Sequence, residues 1–126
     1  MNSIVEKIKK VVLELEAEHE PLLVCALFLR VDPIERWDMV VSAAWLNFSD
    51  LNSYQLISSK VQSTLDSQEL LQFSRIVILD QNDPAIVFLQ DSFSITNGKI
   101  EEASTDLLSS RFGFTIKKAY LLRCQK

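Results

Sequence analysis

Glycine is nearly absent from this chain: there are two in 126 residues, Gly98 and Gly113, alongside three prolines, Pro21, Pro33 and Pro84. Glycine and proline punctuate regular structure more sharply than any other residues. A chain with so few of them has few breaks and short connections between its elements. The same scarcity restricts chemistry. A loop that cradles phosphate needs glycine so that the backbone can approach the anion. Two isolated glycines supply neither a Walker A loop nor a GxGxxG turn, which argues against P-loop and dinucleotide enzymes.

Between the breaks, hydrophobic periodicity predicts the elements. Ile4, Ile8, Val11, Val12 and Leu15 recur on one helical face. They predict a helix over 3–19, with Ser3 and Glu6 at capping-box spacing and Pro21 as its stop. Residues 22–31 and 38–46 are almost continuously apolar and read as two strands covered on both faces. The short loop Asp32-Pro33-Ile34-Glu35-Arg36 makes them an antiparallel pair. Asp50 is placed to cap a helix over 51–65, with Tyr54, Ile57, Val61 and Leu65 on one face. Asp66 with Glu69 again has capping-box spacing, for a short helical piece ending near Phe73.

The run Ile76-Val77-Ile78-Leu79 within 75–80 predicts a buried central strand. Asp83-Pro84 reads as the N-cap and first residue of a helix over 84–93. Asn97-Gly98 is a tight-turn pair, followed by a short strand over 99–103 and a last strand over 115–124. The order α-β-β-α-β-α-β-β describes an α+β domain over 1–126, a mixed sheet of about five strands with helices packed on it. Strand order is left open.

Hydrophobic residues at 48% and charged residues at 24% support a packed core rather than disorder. The longest apolar run, Leu22 to Leu29, is far short of the ~20 residues of a membrane-spanning helix. Charges interrupt the N-terminal segment, so no secretory leader is read there and a cytoplasmic location is expected. Cys25 and Cys124 each sit in an apolar stretch and are expected to be buried thiols. The net charge of −4 argues against a nucleic-acid surface. Yet residues 107–126 hold five cations (Arg111, Lys117, Lys118, Arg123, Lys126) and no acid. A solvated strand face explains such a tail, and contact with an anion or an acidic partner is the alternative.

Chemistry-bearing residues are sparse. His19 is the single histidine, near a helix end beside Glu18 and Glu20, and nothing places a nucleophile near it. Two cysteines and one histidine without a CxxC do not make a zinc site, and no cofactor is indicated. Among the acids, Asp38 opens the second strand, and Asp80 and Asp83 flank a strand-to-helix loop, a place where ligands bind in open sheets. Asp38 and Asp80, with Glu101, are the metal-ligand candidates. The acid-x-Lys triplet of a PD-(D/E)xK nuclease is broken, because Lys99-Ile100-Glu101 is reversed. Trp37 and Trp45, eight apart, would project from the same side of a regular strand, with Asp38 and Ser42 on the other. Trp37, Trp45, Ser42 and Asp83 are the interface or ligand candidates.

The stretches Trp37-Asp38-Met39-Val40-Val41-Ser42-Ala43-Ala44-Trp45 and Leu70 to Asp80, followed by Asn82-Asp83-Pro84, resemble a small family of uncharacterised bacterial proteins of similar length. The resemblance covers most of the chain and brings no assigned activity, so it carries over no functional residue. Three functions stay open on the residues. The first is a non-catalytic protein-interaction domain, with a homo-oligomer among its outcomes. The second is a small metal-dependent hydrolase or nuclease using Asp38 and Asp80. The third is a small-molecule sensor with a pocket between sheet and helices.

Overall fold

The computed structural model describes residues 3–31, 34–95 and 100–126, apart from the side chain of Leu107. The Asn97-Gly98 turn, Asp32-Pro33 and Lys99 lie outside the described residues. The elements are α1 (Ser3–Glu18), β1 (Val24–Arg30), β2 (Arg36–Ser42), α2 (Leu51–Thr64), α3 (Ser67–Leu71), β3 (Phe73–Ile78), α4 (Pro84–Ser92), β4 (Glu101–Glu102), α5 (Thr105–Phe112) and β5 (Ile116–Cys124). The α+β class and the mixed five-stranded sheet are as expected.

Strand order is β3-β2-β1-β5-β4. The hairpin β1–β2 is antiparallel, in register from Val24↔Ser42 to Arg30↔Arg36. The chain then crosses through α2 and α3 so that β3 lies parallel to β2. β5 returns antiparallel on the other side of β1, with β4 antiparallel outside it. Helices cover both faces. α1 buries Ile4, Val5, Ile8, Val11, Val12 and Leu15 beside Ile57, Val61 and Leu65 against Leu27, Met39 and Val41. On the opposite face Ile86 and Leu89 of α4 and Leu108 of α5 pack against Val24, Ala26, Phe28 and Val40. The result is three layers with two apolar cores. Each fully buried side chain of this kind contributes about 2 kcal/mol.

Local signals position the helix starts. Asp50 accepts from Asn52 N–H at 2.9 Å and opens α2. Asp66 and Glu69 form the full capping box of α3. Asp83 accepts from Ala85 N–H at 2.9 Å, with Pro84 in the first turn of α4. Ser3 departs from its expected role: it lies within α1, and its hydroxyl donates to Glu69 Oε2 at 3.0 Å.

Three further expectations are corrected. β3 is an edge strand, not a central one. Its apolar run reflects packing on both faces, since Phe73 and Ile76 pack on one core and Val77 on the other, while one edge stays unpaired among the described residues. β2 ends at Ser42, because a turn closed by Leu46 N–H to Ala43 O (3.2 Å) takes the chain out of the sheet. Trp45 is therefore not on a strand, and Trp37 and Trp45 share no strand face. Finally, α5 is an element that periodicity did not indicate. It is short, its N-cap Ser104 makes no side-chain cap, and it ends at Gly113 in the left-handed conformation (φ 78°).

Candidate functional site

Alternate residues of a strand face opposite ways. Trp37, Met39 and Val41 enter the first core, so Asp38, Val40 and Ser42 face the second. Asp38 lies within β2 rather than at its start and is wholly buried. In register beside it on β3 stands Arg75. On β1 its neighbour is Phe28, with Arg30 two residues on and on the same side. Arg75 Nε donates to Asp38 Oδ2 at 3.2 Å, and Arg30 Nε lies 3.7 Å from the same oxygen. Arg30 Nη2 donates to Ser74 Oγ at 3.1 Å. The Phe114 ring lies beneath both guanidiniums, 5.7 Å from that of Arg30 and 5.9 Å from that of Arg75. Two cations thus surround one carboxylate and leave the corner with one positive charge in excess.

This corner is closed at its centre and open at its rim. Asp38 Oδ1, Arg30 Nε and the Ser42 hydroxyl are buried and lack a hydrogen-bond partner among the described residues. Arg75, by contrast, is half exposed. Its Nε is engaged, and its terminal amino groups make no hydrogen bond among the described residues. Arg75 also borders a groove of about 460 Å³ beside the free edge of β3. The groove is lined by Val61, Leu70, Phe73 and Ile76, with Ser58, Gln62 and Ser74 as its polar side chains.

The other candidates disperse. Trp37 is buried with its ring 5.9 Å from that of Tyr120. Trp45 stacks on His19 at 4.5 Å and donates its indole N–H to Glu20 O at 2.9 Å, tying the β2–α2 connection to the end of α1. Asp83 serves as the cap of α4, and exposed Asp80 accepts from Asn82 N–H at 2.9 Å. Glu101 lies on β4, across β1 and β5 from Asp38, a span of about 14 Å at ordinary strand spacing. Asp38, Asp80 and Glu101 therefore do not converge, and Asp38 already holds a guanidinium. No group of three or more His, Cys, Asp or Glu suited to a metal ion occurs among the described residues.

Two polar clusters tie the layers together. Arg123 of β5 donates through Nε (2.9 Å) and Nη2 (2.5 Å) to Glu16 of α1, which also accepts from Leu22 N–H. Glu69 accepts from Lys7 Nζ at 2.5 Å, from Ser3 and from Asp66 N–H. Chiefly the Lys7 ammonium, then the Asp66 N–H, holds the Glu69 carboxyl down at about 2. Of the basic tail, Lys117 pairs with Glu35, Lys126 with Asp91 and Arg123 with Glu16, while Arg111 lies over Phe88.

Both cysteines are free and buried, on opposite faces of the sheet. Burial pushes the Cys25 thiol far up and that of Cys124 up to about 11, so neither is a ready nucleophile. Among the described residues no helix is long and apolar enough to cross a membrane.

The residues that meet at the corner, Arg30, Arg75 and Phe114, did not stand out in the sequence. The available signal was a lone charge inside or at the end of each apolar strand, and it gains meaning only with the strand order. Comparison with known proteins gives no match to a family model, a curated protein or a solved structure.

Proposed function

We propose that this chain is a non-catalytic interaction domain that self-associates by pairing the open edge of β3 with β3 of a second copy. The observation that carries this reading is the contrast between the two edges of the sheet. Edge strands template pairing unless they are short, charged, bulged or blocked by proline. β4 has two residues, both glutamate. β3 has six, with one charge and no proline, and its bulge is confined to its start, around Ser74.

Leu79 N–H donates inward to Val41 O at 3.0 Å. By alternation the peptide groups of Ile76 and Ile78 point out of the sheet. An antiparallel pair centred on Ile76 sets Arg75 opposite Val77 of the second copy and keeps the two arginines from facing each other. The same patch then serves both subunits, as a two-fold interface requires. The family resemblance adds no activity, so the reading rests on this geometry.

Light scattering coupled to size exclusion tests it. The expected result is a dimer mass for the native chain and a monomer mass for Ile76→Pro, which removes an outward N–H at an edge position where proline is tolerated. A circular-dichroism melt verifies that the variant folds. A native chain that stays monomeric at its highest soluble concentration overturns the reading.

A further inference from the structure

We infer that the groove between α2 and β3, with the flank of α2 above it, receives the same surface of a second copy, so that α2 packs antiparallel on its mate across the two-fold axis beside β3. This rests on the β3 pairing proposed above and adds the surface that completes it. A six-residue strand is about 20 Å long and a sheet layer about 10 Å thick, so edge pairing alone joins on the order of 200 Å² per copy, against roughly 800 Å² for a standard interface. A dimer held at β3 therefore needs a further contact beside the strand. On one face of the sheet the edge carries Arg75 from each copy, held there by Asp38 and Phe114. On the other face lies the groove of about 460 Å³, walled by Val61, Leu70, Phe73 and Ile76.

The flank of α2 is depleted of charge, as the centre of a protein interface is. Lys60 is the one charged residue among the 14 of α2, and it turns to Glu14 and Glu18 of α1. Ser58 and Gln62, which line the groove, are neutral and joined at 3.3 Å. Two copies can therefore meet here without repulsion. The spacing also fits. α1 lies toward β5, tied by Glu16 to Arg123, and α2 lies toward β3. Helices about 10 Å apart each cover two strands about 4.8 Å apart. Pairing β3 with its mate then sets the two α2 helices two strand spacings apart, about 10 Å, an ordinary helix packing distance. The mate's Ile76 falls about 5 Å from Ile76 on the same face and closes the open side of the groove. Antiparallel helices meeting between Ser58 and Gln62 put the small side chain of one beside the long side chain of the other.

Cross-linking with a short bismaleimide tests the contact, since the native thiols of Cys25 and Cys124 are buried. Ser58→Cys is expected to give a covalent dimer. Ser63→Cys, exposed and outside the groove lining, is expected to give none. Analytical ultracentrifugation of Gln62→Arg, which sets two cations near the axis, is expected to show dimerisation at least about 10-fold weaker than in the native chain. Failure here is separable from failure of the strand pairing. A dimer that Ile76→Pro dissociates, with no Ser58→Cys cross-link and native dissociation in folded Gln62→Arg, keeps the pairing and overturns the α2 contact. A dimer that survives Ile76→Pro, or a native chain that stays monomeric with its groove open to another occupant, overturns both.

Discussion

Glu69 shows how one side chain can join three segments. Its carboxylate caps α3 through Asp66 N–H, pairs with Lys7 on α1 and accepts from Ser3. These contacts lower its folded pKa to about 2, from an ordinary 4.5. Because the folded value is the lower one, the stabilisation is complete above pH 4.5 and is lost as pH falls toward 2. The Lys7 ammonium is raised by the same contact, so its share persists below its ordinary value and is lost only in strong base. Urea denaturation across the acid range should show this loss in the native chain and a flatter profile in Glu69→Gln. Equal slopes would mean that the contact does not survive in solution.

Elements differ in how plainly their residues announce them. Asp50, Asp66 with Glu69, and Asp83 with Pro84 were legible because a cap is a local event, settled within four residues. α5 was not, because it lacks a side-chain cap and owes its end to a backbone conformation. That end gives a clean test. Gly113 has φ 78° and open space where a Cβ would stand. Gly113→Ala should therefore cost about 1 kcal/mol from backbone conformation alone. Gly113→Asn should cost less, since asparagine tolerates this region. Denaturant midpoints for the two variants decide it, and an alanine variant as stable as the native chain refutes the argument.

β3 marks the opposite limit of legibility. Ile76-Val77-Ile78 reads as a buried central strand, yet only Ile78 is buried and the strand lies at an edge, because an apolar run says nothing about whether a strand has one neighbour or two. The pairing of Asp38 with Arg75 was hidden for the same reason, being 37 residues apart in sequence and adjacent only once β3 lies beside β2. Trp45 was misplaced because apolar Ala43 and Ala44 prolong the strand pattern through a hydrogen-bonded turn.

For the whole molecule, the sheet divides the chain into two apolar layers, and each contains one thiol. Cys25 lies under α1 and α2, and Cys124 lies on the other face, with its Sγ donating to Leu89 O at 3.1 Å. Neither can be alkylated without an opening event, and each opening belongs to a different pair of helices. The two cysteines therefore act as built-in clocks for sub-global unfolding. Trapping with iodoacetamide under native conditions, read by peptide mass spectrometry, should yield two labelling rates. Equal rates would mean that the sheet and both helical layers open together. If Cys124 is labelled faster, the α4–α5 layer lifts away while α1 and α2 still hold the sheet.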